Sequence, residues 1–182
     1  KESEVIFEDE TITVRTIPLQ HRVYTNGFYF EEKSAPRKLD IEAVKKWKVP
    51  REQYSAIKGG ADGIQEDGGI VPNKDLTEDT PKTKSYAFCS DTKYNETVIP
   101  IIQNVDTLYH ESTFLESESH LCEKTKHSTA KQAALIAKKS NAGKLILGHF
   151  STRYPSIELF KEEAQTVFPN SELADDGKFF EL

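Results

Sequence analysis

The sequence predicts a layered α/β domain, and two observations carry that prediction. From residue 85 to the C-terminus, short apolar strands alternate with helical segments, an order that favours a sheet covered by helices. Hydrophobic residues make up 36% of the 182 positions and charged residues 30%, so the core is lean and much of the chain faces water. This length suits one domain of ordinary size.

The first 30 residues are predicted to form strands. Residues 5–7 are apolar, and residues 11–17 alternate with β-branched side chains, as is typical of a strand with one buried face. Pro18 follows and ends the second strand. A third, aromatic strand is expected just after Gly27.

Residues 31–84 differ in composition, and we interpret them as an inserted arm rather than core. This segment holds four of the eight prolines, five of the nine glycines and the single tryptophan. Asp40 is a favourable N-cap for a short helix that reaches about Lys48. The glycine pairs at 59–60 and 68–69 flank a hairpin-like stretch.

The remainder of the chain supplies the regular elements. Thr129 opens a helix, because Gln132 three residues later completes a capping box. The other expected elements are strands at 86–89, 107–110 and 144–148, helices at 95–103 and 157–168, and short terminal strands near Leu173 and Phe179.

Charge and cysteine content narrow the functional classes. The net charge of −6 is not that of a broad basic surface for nucleic acid, so any such contact must come from a local patch. No apolar run approaches a membrane span, and no signal peptide begins the chain, so we expect no membrane partner. Cys89 and Cys122 form neither a CxxC motif nor a disulfide framework, which predicts a cytoplasmic protein.

Polar side chains recur where apolar strands end. His21, Asp91, Glu111 and His149 each follow such a strand, and His127 precedes a helix. Strand ends at one edge of a layered sheet converge on a site, and zinc binds imidazole nitrogen and carboxylate oxygen. Each residue alone is more often a turn, cap or hydrogen-bonded residue. From these residues alone, a metal hydrolase is therefore one interpretation among others.

Five local strings surround these polar residues. They are Pro18-Leu19-Gln20-His21-Arg22-Val23 with Gly27-Phe28, Phe88-Cys89-Ser90-Asp91-Thr92, Leu108-Tyr109-His110-Glu111-Ser112-Thr113-Phe114, Lys126-His127-Ser128-Thr129-Ala130, and Leu147-Gly148-His149-Phe150-Ser151-Thr152-Arg153-Tyr154. The strings resemble those of ribonuclease Z, a family of zinc-dependent tRNA 3′-end endonucleases in the metallo-β-lactamase superfamily. They appear in the family's order, with Ser112 in place of Ala and Gly148 in place of Thr.

The resemblance implies half of a four-layer αββα metallo-β-lactamase sandwich with an inserted arm. Residues 1–30 and 85–182 would form the C-terminal part of that domain, and residues 31–84 the tRNA-binding arm. The partners would be precursor tRNA and a second copy of the chain in a homodimer. The reaction would remove the 3′ trailer by attack of a metal-bound hydroxide on a phosphodiester.

The resemblance also implies a role for each site residue. His21 and Asp91 would bind one zinc ion, and Asp91 and His149 the other, giving two per complete subunit. His127 would protonate the leaving 3′ oxygen as general acid. Glu111 would orient His127 and favour its protonated form.

Substrate contacts are expected from four cations. Arg153 lies four residues after His149 and could hold a phosphate, with a structural ion pair an equal alternative. In the arm, Lys45, Lys46 and Arg51 could hold tRNA phosphates, although interleaved acidic residues are also typical of a solvated loop. Many bacterial members carry a Gly-Pro motif in the arm, and residues 49–52 stand in its place here.

The HxHxDH signature of the superfamily is absent, since no two histidines lie two positions apart. With only two ligands per metal, we expect weak zinc binding, negligible nuclease activity for this chain alone, and exposed apolar strand surface. Two alternatives stay open. One is a different metallo-β-lactamase-fold phosphodiesterase with a small substrate, and the other is a non-catalytic tRNA-binding fragment.

Overall fold

A computed structural model describes residues 2–181, which divide into two compact units, residues 2–32 with 84–181 and, separately, Lys33–Thr83. The strands are β1 (Val5–Glu8), β2 (Ile12–Pro18), β3 (Asn26–Glu32), β4 (Lys38–Leu39), β5 (Gly63–Ile64), β6 (Ile70–Val71), β7 (Thr77–Glu78), β8 (Ser85–Cys89), β9 (Thr107–Glu111), β10 (Lys144–Gly148) and β11 (Ser171–Leu173). The α-helices are α1 (Ile41–Lys46), α2 (Tyr54–Lys58), α3 (Cys122–Thr125), α4 (Ala130–Lys139) and α5 (Glu158–Gln165).

The larger unit is built on a seven-stranded sheet in the order β1-β2-β3-β8-β9-β10-β11. The strands from β8 to β11 are parallel, whereas β3 is antiparallel to both β2 and β8. Two antiparallel steps restore the original direction, so β2 runs the same way as β8, β9 and β10. The C-terminal ends of these four strands therefore lie at one edge of the sheet.

One face of this sheet is covered by helices. Leu108 on β9 and Leu145 and Leu147 on β10 are fully buried or nearly so, together with the small-residue face of α4. The alanines of α4 allow close packing on the strands, and Phe160 of α5 fills the space beside them. Truncating one of these buried leucines to alanine costs about 2–5 kcal/mol in typical cores.

The opposite face of the sheet carries aromatic side chains that remain partly exposed. Phe28 and Phe88 are directly paired across β3 and β8, and so are Phe30 and Tyr86. The ring of Tyr109 on β9 stacks on that of Phe88, with centroids 4.7 Å apart. Phe28 is 36% exposed. The structure therefore has the exposed apolar strand surface that the sequence predicts.

The smaller unit has its own core. The six buried side chains that form it are Leu39, Val44, Val49, Ile57, Val71 and Leu76. Helix α1 begins after Asp40, whose carboxylate accepts hydrogen bonds from the backbone N–H groups of Glu42 and Ala43. This geometry confirms the predicted N-cap. Two short antiparallel strand pairs complete the unit, β4 with β7 and the hairpin of β5 with β6.

Two element predictions are wrong, whereas the predicted capping box is confirmed. Residues 95–103 form only a 3₁₀ turn at Glu96–Val98, because Pro100 has no N–H to continue a helix. Among the described residues, β11 is the last strand, and Phe179 is 97% exposed instead. The capping box of Thr129 and Gln132 is present at the start of α4. Within residues 2–181, no helix has the length and apolar character needed to cross a membrane.

Candidate metal centre

The polar residues that follow β2, β8, β9 and β10 meet at the shared edge of the sheet. Asp91, Glu111, His127 and His149 each offer a donor atom, and these atoms all lie within 4.8 Å of one another. His21 is outside this group of four, but its ring centroid lies 5.1 Å from that of His127. The ring centroid of His149 also lies 5.1 Å from that of His127. The structure thus brings together all five residues that the sequence singles out.

Asp91 and His149 hold unusual backbone conformations. Their φ angles are +61° and +59°, in the left-handed region that non-glycine residues seldom adopt. Such strain persists only where the surroundings hold it, and it concentrates at functional sites. The consequence here is geometric, since Asp91 Oδ1 and His149 Nε2 lie 3.2 Å apart.

Asp91 Oδ1 is buried and has no hydrogen-bond partner among the described residues. A buried carboxylate oxygen without a partner is costly unless a cation or a donor satisfies it. The nearby Nε2 of His149 is close enough for electrostatic contact but is not aligned as a hydrogen-bond donor. An oxygen and a nitrogen held together in this way suit a shared cation.

Glu111 is fully buried and accepts hydrogen bonds at both of its oxygens. Oε1 accepts from the backbone N–H of Thr92 at 2.6 Å and from His127 Nδ1 at 2.8 Å. Oε2 accepts from the hydroxyl of Thr113 at 2.7 Å and from the N–H of Ser128 at 3.1 Å. Burial alone would raise the pKa of Glu111, but the hydrogen bonds outweigh it and lower that pKa. An ionised and fully engaged carboxylate orients its neighbours rather than binding a metal itself.

The pKa of His127 is raised, chiefly by the hydrogen bond to Glu111 and against the opposing effect of burial. The charges of Glu111 and Asp91 raise this pKa further. The His127 side chain is 15% exposed. The imidazole is therefore well placed to carry a proton at the surface of the site.

All three site histidines use Nδ1 within the protein, which leaves Nε2 for other partners. Nδ1 of His21 lies 3.1 Å from the carbonyl oxygen of Lys126, to which it donates. Nδ1 of His127 is bound to the buried carboxylate described above. Nδ1 of His149 lies 2.9 Å from the hydroxyl of Thr113. Metal-binding histidines show this arrangement, because the second hydrogen bond fixes the ring and its tautomer.

Gly148 departs from the family's strings, and the structure gives the reason. A Cβ atom added at position 148 would overlap the hydroxyl end of the Tyr109 ring. The absence of a side chain at Gly148 therefore makes room for Tyr109. Both residues line a cavity of about 330 Å³ that also adjoins His149.

None of the four predicted phosphate-binding residues belongs to the group of five site residues described above. Arg153 sits 3.5 Å from a carboxylate oxygen of Glu118 and over the ring of Phe114, so its observed contacts include the ion-pair alternative. Lys45, Lys46 and Arg51 belong to the smaller unit.

In that unit, Lys45 forms an ion pair with Glu42, and the Lys46 amino group lies over the Trp47 ring. Arg51 is exposed at the start of a 3₁₀ turn. Phosphate binding by these cations stays a prediction.

Sequence reasoning missed the residues that support the site. Thr113 and Ser128 lie within the family-like strings, yet only the structure connects their polar groups to Glu111. The Ser128 hydroxyl also donates to the Thr92 carbonyl, joining the loops after β8 and before α4. Their burial shows that their polar groups need partners, and it is visible only in the structure.

The donors fit zinc in kind. Imidazole nitrogens and a carboxylate oxygen are the ligands that zinc takes, and the buried Asp91 oxygen has no hydrogen-bond partner in the described part of the chain. Within residues 2–181, the group of four and the adjacent His21 supply these atoms. With Glu111 engaged elsewhere, the chain offers fewer donors than two closed zinc sites require.

Comparison with solved structures identifies the fold. The metallo-β-lactamase-fold protein YhfI from Bacillus subtilis aligns with a TM-score of 0.62 at 18% identity, over 96% of this chain and 52% of that one. The short form of human tRNase Z aligns with a TM-score of 0.54 at 20% identity, over 96% and 44%. No protein-family model matches the chain. These alignments show that the chain has the metallo-β-lactamase fold, as the sequence predicts.

Comparison with curated sequences is more specific. Ribonuclease Z of Porphyromonas gingivalis is 41% identical over 178 residues, which is 98% of this chain and 59% of that protein. Ribonuclease Z of Cytophaga hutchinsonii is 43% identical over 183 residues, covering 98% and 57%. The predicted resemblance to ribonuclease Z is confirmed. The chain spans about three fifths of the length of the curated relatives it matches.

Proposed function

We propose that this chain is part of a zinc-dependent endoribonuclease that removes the 3′ trailer of precursor tRNA. The observation that carries the proposal is the proton-donor pair His127–Glu111, held within 4.8 Å of the metal-donor atoms of Asp91 and His149. The similarity to proteins named ribonuclease Z supports the choice of substrate.

Zinc would be held by His21 and Asp91 at one position and by Asp91 and His149 at the other. When bound, zinc supplies a Lewis acid that lowers the pKa of a coordinated water and stabilises charge on the phosphoryl oxygens. Asp91 has two carboxylate oxygens, and the one that is buried without a partner faces His149. Asp91 would therefore contribute a carboxylate oxygen to each position.

Side chains of this chain would protonate the leaving group. Glu111 holds a proton on His127 through the hydrogen bond to Nδ1, and the Nε2–H of the cation is then free to protonate the 3′ oxygen. Because Glu111 is satisfied by three further donors, it stays ionised while His127 gains and loses its proton. Glu111 is a positioning residue in this scheme.

Substrate binding would fall to exposed cations. The smaller unit would serve as the arm that holds tRNA, through Lys45, Lys46 and Arg51, and Arg153 would contribute near the metal centre. Phosphate contacts of this kind give affinity without reading the base sequence. A homodimer in the cytoplasm is the assembly and location that the resemblance implies.

The incomplete ligand set favours the second candidate, a non-catalytic tRNA-binding fragment, for this chain on its own. The deciding experiment is cleavage of precursor tRNA by the chain alone and after addition of the remaining part of a curated relative. Restored cleavage that His127→Ala abolishes is the result expected for the endoribonuclease. Tight tRNA binding with no cleavage in either case would support the fragment.

A small chromogenic phosphodiester distinguishes the third possibility, a phosphodiesterase for small substrates. If the restored protein hydrolyses this compound well but leaves precursor tRNA intact, the proposed substrate is wrong. Deletion of residues 33–83 provides a matched control, because it should spare the small substrate and abolish tRNA cleavage.

A further inference from the structure

The hydroxyl of Thr113 lies between two functional side chains. It is 2.7 Å from Glu111 Oε2 and 2.9 Å from His149 Nδ1. Thr113 is 8% exposed, so water has little access to the group. A hydroxyl has a single proton to donate, and its direction determines the protonation of the histidine.

The proton must point toward Glu111. An ionised carboxylate only accepts hydrogen bonds, and an oxygen–oxygen separation of 2.7 Å without an intervening proton would be repulsive. The other donors to Glu111 keep it ionised. The Thr113 oxygen can therefore only accept from His149, whose Nδ1 must carry a proton.

The neutral imidazole of His149 then has its lone pair on Nε2. That atom lies 3.2 Å from the buried, unpartnered Oδ1 of Asp91. Both atoms are then acceptors without a donor, 3.2 Å apart, and a cation within reach of both would satisfy them. The arrangement selects Nε2 as a metal-binding atom before any metal arrives.

We propose that Thr113 is a positioning residue that fixes His149 in its Nδ1–H tautomer and thereby presents Nε2 to a divalent metal. This inference rests on the metal site of the proposed function. Through Glu111, the same hydroxyl links the metal ligand to the proton donor His127. A continuous series of hydrogen bonds connects the two imidazoles. It runs from Nδ1–H of His149 through the Thr113 hydroxyl and the Glu111 carboxylate to Nδ1–H of His127.

The hydroxyl can be removed without releasing the loop. The backbone carbonyl of Thr113 accepts from the N–H of Ser151 at 3.2 Å, and the N–H of Ser112 donates to the carbonyl of Gly148 at 2.8 Å. These backbone bonds hold the loop after β9 against the loop after β10. Thr113→Val retains the shape of the side chain and both backbone bonds, so it isolates the role of the hydroxyl.

The first measurement is the tautomer of His149 in metal-free protein, by nitrogen-15 NMR at about pH 9, well above the ordinary histidine pKa of about 6.5. His149→Gln assigns the signals. The wild type and Thr113→Ser should show Nδ1–H, and Thr113→Val should shift the population toward Nε2–H. A wild type with Nε2–H, or a Thr113→Val variant that keeps Nδ1–H, would overturn the proposal.

The second measurement is zinc affinity, by competition with a chromogenic chelator. Loss of an outer hydrogen bond to a metal-binding histidine typically weakens affinity by about 10- to 100-fold, and we expect this for Thr113→Val but not for Thr113→Ser. Thr107→Val is the matched control, because Thr107 is a buried threonine on β9, the strand that precedes the loop of Thr113, and its hydroxyl takes part in none of the described hydrogen bonds. Unchanged affinity in Thr113→Val would contradict the proposal.

The two measurements separate the failure of this proposal from the failure of the proposed function. If the wild-type chain binds no zinc but its tautomer depends on Thr113, the metal site is wrong and the positioning role stands. If zinc binds and the His149 tautomer is the same in wild type and Thr113→Val, the metal site stands and the positioning role is wrong. Circular dichroism melting confirms folding, and should Thr113→Val fail to fold, the wild-type tautomer and Thr113→Ser still decide.

Discussion

Glu111 illustrates how much a single side chain organises at the residue scale. Its carboxylate is fully buried and receives four donors from three different loops. A buried charge is tolerated only with such partners, because removal from water is costly. The loops after β8 and β9 and before α4 are consequently held at one point.

Replacing this charge should weaken the fold. In Glu111→Gln the amide keeps the shape but presents an NH₂ group to donors that need an acceptor. Hydrogen bonds to charged groups contribute about 1.5–3 kcal/mol, and we expect a loss of that size in the free energy of unfolding by urea. Glu162→Gln, an exposed change on α5, should stay within about 0.5 kcal/mol. Equal effects of the two changes would contradict the role of Glu111.

The hydrogen-bonded pair of Glu111 and His127 predicts how the free energy of unfolding depends on pH. The hydrogen bonds made on folding lower the pKa of Glu111 below its ordinary value of 4.5 and raise the pKa of His127 above 6.5. The pair's contribution to stability is full between these two values. It is lost as the pH falls through the folded pKa of Glu111, and also as the pH rises through the folded pKa of His127.

The measurement is the difference in unfolding free energy between wild type and Glu111→Gln as a function of pH. We expect a plateau between about pH 4.5 and 6.5 and a decline on both sides. A difference that keeps growing above neutral pH would show that His127 is not stabilised as a cation.

At the scale of elements, helix α4 begins with a reciprocal cap. The Thr129 hydroxyl accepts from the N–H of Gln132, and the Gln132 side chain accepts from the N–H of Thr129. The cap fixes the first turn directly after His127, so it stabilises the helix and the loop that presents the imidazole.

Thr129→Ala should therefore cost about 1 kcal/mol, the typical loss for an N-cap hydroxyl. Thermal unfolding by calorimetry gives the value. Lys138→Ala lies on the same helix at an exposed position and should change stability by less than about 0.5 kcal/mol. A Thr129→Ala protein as stable as the wild type would show that the cap does not stabilise this helix.

Strands β9 and β10 are fitted to each other through Tyr109 and Gly148. Gly148→Thr restores the family's residue but overlaps the Tyr109 ring, and overpacking of this kind costs about 1–3 kcal/mol. The double variant with Tyr109→Val should recover most of that loss. Urea unfolding of the two single variants and the double variant measures the coupling. Additive losses would mean that the two residues do not share the space.

Sequence alone predicted the elements whose signals are local. The strand at 144–148 and the capping box of Thr129 were found because each depends on neighbouring residues. The prediction of a helix after Asn95 is wrong, because Pro100 has no N–H to continue the hydrogen bonds of a regular helix, and only a 3₁₀ turn forms. The contacts of Thr113, and the left-handed φ of Asp91, depend on segments distant in sequence, which no local pattern encodes.

At the scale of the whole molecule, the chain brings together three candidate zinc ligands and covers about three fifths of its relatives' length. A zinc ion with two protein ligands is held weakly, since stable sites use three or four. We expect the isolated chain to retain fewer than two zinc ions after dialysis against a mild chelator, as measured by elemental analysis of the protein. Two ions retained per chain would contradict this, and His149→Ala controls for binding outside the site.

The insertion of the smaller unit between paired strands also has a kinetic consequence. Strands β3 and β8 are direct neighbours in the sheet, yet residues 33–83 separate them along the chain. Closing a flexible loop becomes more costly with its length, by about 0.6 kcal/mol for each doubling. A segment with its own core, such as the one around Val44 and Ile57, can fold first and shorten the effective loop. The stability of this unit therefore helps set the rate at which the sheet, and with it the edge that carries the histidines, is assembled.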